Sequence, residues 1–134
     1  MTLLQPSPLL RRSLQLDALA GGATGLLLAL AANPLSGLFG LPVVLLMVAG
    51  ILLLPLALVL AWMANCEVLP RAGVWAVIAV NLLWVVESLG LLASGWVQPT
   101  VLGCAFVIGQ ALVVGVLAEL EFFGLRRSAA LHTL

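Results

Sequence analysis

One stretch of this chain places hydrogen-bonding side chains inside a run that is otherwise apolar. "NLLWVVESLGLL", residues 81–92, carries an amide (Asn81), an indole (Trp84), a carboxyl (Glu87) and a hydroxyl (Ser88). A second amide, Gln110, interrupts a later apolar run. With about 3.6 residues per helical turn, Asn81, Trp84 and Ser88 share one narrow stripe and Glu87 sits at its edge. Polar groups in hydrocarbon are costly and mark either helix–helix contacts or sites. These types allow amide–amide hydrogen bonding between helices, contacts to a ligand, or proton uptake by Glu87. A charged carboxyl at mid-membrane costs about 2.5 kcal/mol or more. Glu87 escapes that cost if it is protonated, hydrogen-bonded or in touch with water from an outward cavity. Gln110 is expected at about the depth of Asn81, so the two amides are predicted to meet near the midplane as interhelical glue.

The elements that must hold these residues follow from composition. Of 134 residues, 64% are hydrophobic and 7% charged, and lysine and tyrosine are absent. An ordinary soluble domain has about 25% charged residues, so this chain takes the lipid bilayer as its solvent. The net charge is zero. With no basic patch, nucleic acid is excluded as a partner. Cys66 and Cys104 are expected as free thiols at opposite ends, because a disulfide needs Cα atoms within about 7 Å. One histidine, His132, and no acidic cluster leave neither a metal site nor a haem site, and no cofactor is expected.

Four apolar segments, about 14–32, 42–65, 72–93 and 99–123, match a hydrocarbon core of about 30 Å. Each must be helical to satisfy its backbone internally. The connections "NPLSGLFG" (33–40), "CEVLPR" (66–71) and "SGWVQ" (94–98) are short and rich in breakers. The expected fold is therefore a single all-α domain, an up-down-up-down bundle of four transmembrane helices. Arg11, Arg12, Arg71, Arg126 and Arg127 all fall on one side of this topology. That side, with both termini, is predicted to be cytoplasmic, in a multi-pass protein of the inner membrane. Trp62, Trp75 and Trp96 suit interfacial belts and Trp84 does not. The N-terminal Arg-Arg with "ALA" (29–31) has the outline of a cleaved signal, but Asp17 and the glycines interrupt its apolar region, so residues 14–32 are read as a true span.

The remaining polar and small residues have plainer roles. Gly21 and Gly25 form a GxxxG suited to close helix packing, within the chain in preference to between copies. Asp17 is expected to pair with Arg71 or Arg12 at the cytoplasmic boundary, since arginine can snorkel. Glu67, Glu119 and Glu121 are expected in a solvated ring with Arg71, Arg126 and Arg127, worth about 0 to 1 kcal/mol per pair. Gln110, Leu117 and Glu121 nonetheless share a helical face with Gly103. Pro55 should bend the second span by freeing the Ile51 carbonyl.

The segments "RRSLQLDALAGGATG", "NLLWVVESL" and "AELEFFGLRR" resemble those of small uncharacterised bacterial four-span inner-membrane proteins, a resemblance that implies no activity. Small multidrug transporters also have four spans and a membrane glutamate, but theirs is in the first helix and here it is in the third. No catalytic constellation is present, so the expectation is a protein that is not an enzyme. The leading expectation is a binding or structural membrane protein that holds an apolar or amphiphilic small molecule, or assembles as a homo-oligomer or with a membrane-complex partner. Asn81, Trp84, Glu87, Ser88 and Gln110 would line the site. The alternative is a proton-coupled small transporter or channel subunit that uses Glu87.

Overall fold

A computed structural model describes residues 2–131 of the chain. His132 lies outside the described residues. The elements in chain order are β1 (Leu3–Gln5), α1 (Pro8–Leu30), α2 (Ala32–Phe39), α3 (Val43–Ala64), β2 (Leu69–Pro70), α4 (Arg71–Ser94), α5 (Val101–Arg127) and β3 (Ala129–Leu131). Four of them, α1, α3, α4 and α5, are each long and apolar enough to cross a membrane, as in a multi-pass membrane protein.

Local chemistry sets the ends. Ser7 caps α1, its Oγ accepting from the Leu10 amide at 3.2 Å, and Pro8 follows where a missing N–H costs nothing. Thr100 caps α5 in the same way, accepting from the Gly103 amide at 3.1 Å. Proline residues 42 and 70 precede α3 and α4 in extended conformation. Pro55 lies within an unbroken α3 and is exposed on its surface. Two helices outrun their apolar segments: α1 starts at Pro8 and not near Leu14, and α5 runs on to Arg127. Hydropathy registers only the lipid-facing length, whereas caps and interfacial packing carry the helix further.

Two elements depart from the expected loops. "NPLSGLF" is not a loop but most of α2, with Pro34 in its first turn, where it breaks no hydrogen bond. Gly40 ends α2 at φ 66°. The Phe39 ring stacks on Phe106 at 4.7 Å, and its carbonyl accepts from the Thr100 amide at 2.9 Å. A Cβ at Gly103 would strike that carbonyl, so α2 closes down on the start of α5 only because residue 103 is glycine.

The second departure is a three-stranded antiparallel sheet in the order β2-β1-β3. Leu4 pairs with Leu69 on one side and with Ala130 on the other. The sheet gathers the start of α1, the start of α4 and the end of α5 at one end of the bundle, so consecutive spans alternate in direction. Leu4 and Leu69 point into the bundle and are buried there. All five arginines belong to the segments at this end; four are exposed. Arg11 is the exception: its guanidinium donates to the carbonyls of Ala64 and Cys66, capping the end of α3.

α1 is the central helix of the packing, lying along both α3 and α5, while α5 lies along α4. Lipid tails are as apolar as leucine, so close approach and van der Waals contact must hold these helices together. α1 and α3 approach closely. A Cβ at Gly50 would stand 2.6 Å from the Ala29 nitrogen and 2.7 Å from the Gly25 oxygen. α3 and α4, neighbours in sequence, share apolar clusters towards the two ends of the bundle but little direct backbone contact between them.

Candidate functional site

The polar residues of the spans sort into two hydrogen-bonded groups, one above the other between the two apolar clusters. The deeper group joins α1, α4 and α5. The Asn81 amide nitrogen donates to Asp17 Oδ2 at 2.7 Å and to Glu121 Oε1 at 2.7 Å. Asp17, Asn81 and Glu121 are 5%, 4% and 0% exposed, so the group is sealed from bulk solvent. The second oxygen of Glu121, Oε2, is buried and has no hydrogen-bond partner among the described residues. Both carboxyls are held by a single amide, within twice one hydrogen-bond length of each other.

The outer group joins α4 and α5. The Trp84 indole nitrogen donates to Gln110 Oε1 at 2.7 Å. Gln110 Nε2 donates to Ser88 Oγ at 3.0 Å and to the Val107 carbonyl at 2.9 Å. Every polar atom of the Gln110 side chain is therefore engaged, and the indole is fixed in orientation.

Several expectations are corrected by these partners. Asn81 and Gln110 do not meet. Counted inward from Ser94 and Val101, Gln110 is level with Trp84, and Asn81 lies almost a turn deeper. Asp17 pairs with neither Arg71 nor Arg12. Arg71 begins α4, roughly 15 Å of helix axis from Asn81, and both arginines are exposed. Glu121 is not part of a solvated ring, because it is fully buried and α5 continues well past it to Arg126 and Arg127. Its helical face, shared with Gln110 and Leu117, was the signal for burial. Glu67 and Glu119 are exposed. Glu87 is exposed as well, on the outward side of the α4 stripe, and takes no part in either hydrogen-bonded group. Of the two glycines in the GxxxG, Gly25 meets α3 at Gly50 and Leu53, while Gly21 faces Ala57 with room for a methyl group. Cys66 follows α3 and Cys104 lies in the first turn of α5, both as free thiols.

Two adjoining cavities follow the seam where α3 and α4 stand apart. The inner one, about 280 Å³, is lined by Asp17, Asn81, Trp84 and Gln110 against leucine and valine side chains of α3, α4 and α5. The outer one, about 250 Å³, is lined by Trp84, Glu87, Ser88 and Gln110 against Leu45, Leu52 and other apolar residues. Thr24, Trp84 and Gln110 border both. Exposed residues such as Val48, Leu52, Val80 and Val113 form the edges, so the seam opens sideways, towards lipid in a bilayer. Among the described residues no group of three or more His, Cys, Asp or Glu side chains is placed to hold a metal ion. Comparison with protein-family models, with curated proteins and with solved structures gives no match for this chain.

Proposed function

We propose that the chain is a multi-pass protein of the cytoplasmic membrane that binds an apolar or amphiphilic molecule taken up sideways from the bilayer. The observation that carries this reading is the pair of adjoining cavities along the α3–α4 seam, apolar in their walls and polar along one stripe. Ligand pockets have this composition, with a few fixed polar groups in an otherwise hydrophobic lining. Gln110 orients the Trp84 indole at the junction of the two cavities, so the groups that would meet a ligand are set before it arrives. The arginine-bearing end faces the cytoplasm in this reading, because positive residues are retained on that side.

The test uses Trp84 as the reporter. With Trp62, Trp75 and Trp96 replaced by phenylalanine, the protein in nanodiscs is titrated with 12-bromododecanol, whose bromine quenches a nearby indole. Saturable quenching, reversed by unbrominated dodecanol and weakened by Val80→Phe, is the expected result. Quenching that rises linearly and ignores both competitor and substitution would show only lipid contact and would end the proposal.

A second reading has one observation behind it: Glu87 borders the outer cavity. A proton-coupled pathway that used this carboxyl would lose flux in vesicles on Glu87→Gln with the fold unchanged. Flux that survives the substitution excludes that role.

A further inference from the structure

The seam carries a charge problem. Asp17 and Glu121 converge on one amide in a sealed position, and Glu121 Oε2 has no donor among the described residues. Two carboxylates so close in a poorly solvated place cannot both stay ionised without a positive charge beside them. The elements packed around them supply none. On α1, Arg11 is engaged with the carbonyls that end α3 and Arg12 is exposed. α3 has no charged residue. On α4, Arg71 is exposed at the far start of the helix and Glu87 is a further acid. On α5, Arg126 and Arg127 are exposed beyond the cluster, and Glu119 is again an acid. Among the described residues no cation faces the pair, so the balancing charge in this reading is a proton or a bound cation.

The inner cavity reaches this cluster, since Asp17 and Asn81 form part of its wall. The same wall holds Trp84, an indole of the kind that attracts ammonium groups, and the remainder is apolar. Resting on the binding function proposed above, we propose that the ligand is a lipophilic organic cation, such as an alkylammonium. Its charged head rests against Asp17 in the inner cavity, and its tail lies along the leucines of the outer one. Glu121 acts through Asn81 as a positioning residue that adds negative charge behind Asp17.

The experiment compares three probes with one tail and different heads: dodecyltrimethylammonium, dodecanol and dodecanoate. Each competes with 12-bromododecanol for the single-Trp84 protein in neutral phosphatidylcholine nanodiscs at pH 7. The cation is expected to bind about tenfold more tightly than dodecanol, and dodecanoate more weakly than either. Asp17→Asn should bring the cation's affinity down to that of dodecanol measured in the same variant, and circular dichroism unchanged from the wild type shows that the fold is preserved. Glu121→Gln should reduce the preference in the same direction. If dodecanol and the cation bind equally, or if Asp17→Asn leaves the preference unchanged, the charge assignment is overturned and the apolar seam stands. If no dodecyl compound competes, the binding function itself fails.

Discussion

Replacing Asn81 with leucine removes the hydrogen-bond donor shared by Asp17 and Glu121. The side chain makes two hydrogen bonds of 2.7 Å to carboxyl oxygens. Bonds to charged acceptors contribute about 1.5–3 kcal/mol each, whereas interhelical bonds in a bilayer average nearer 0.6 kcal/mol. The two carboxyls stranded by the substitution add their own cost, so a loss of about 3 kcal/mol is expected. Steric strain adds little, because Asn81 borders a cavity of about 280 Å³ that can take the larger side chain. The informative partner is the triple variant Asp17→Leu, Asn81→Leu, Glu121→Met. Replacing a whole buried polar group by apolar residues is often close to neutral, so this variant should recover to within about 1 kcal/mol of the wild type. Stability is read by titrating sodium dodecyl sulfate into dodecyl maltoside micelles and following circular dichroism. If Asn81→Leu costs less than about 0.6 kcal/mol, the amide is ordinary interhelical glue. If the triple variant is destabilised by the sum of its single substitutions, the three residues do not act as a unit and the reasoning fails.

Other outcomes follow from the same geometry. Gly50→Leu should destabilise the bundle by about 1–3 kcal/mol or more in the same titration, because its side chain would meet the backbone of α1. Gly21→Ala, with its nearest neighbour Ala57 Cβ at 3.9 Å, should be nearly neutral. Gln110→Leu should strand the Trp84 indole N–H and cost about 1–2 kcal/mol, with a shift of Trp84 emission in the single-tryptophan protein. Arg11→Ala should speed amide exchange in the last turn of α3 by removing its carbonyl partner. A membrane-impermeant maleimide should label Cys66 only from the cytoplasmic face and Cys104 only from the opposite one; the reverse pattern would refute the assigned orientation.

Much of the architecture was legible because a bilayer leaves few choices. Backbone groups in hydrocarbon must bond within their own segment, so four long apolar runs had to be four helices, and their limits in the sequence nearly coincide with α3 and α4. The small sheet was not legible. Its strands are two or three residues long, and each is stable only because the other two arrive beside it from distant parts of the chain. α2 was hidden behind residues that usually break helices, which its first turn and its αL end accommodate.

The candidate site divides in the same way. Residue type alone marked Asn81, Trp84 and Gln110 as polar groups that a membrane span must place against a partner, since their cost in lipid is independent of fold. Which partners they found depended on the offset between α4 and α5, on the depth at which α1 crosses them, and on how far α5 extends past its apolar core. Those offsets moved Gln110 to Trp84, turned Asp17 from the arginines to Asn81, drew Glu121 into the bundle and left Glu87 outside the hydrogen-bonded groups. The sequence by itself determined that polar groups would be buried between four membrane helices, because the solvation of each side chain is a local property. Only the tertiary structure decided that two carboxyls share one amide beside an apolar seam, because depth and rotation are set by contacts between helices and have no local signal.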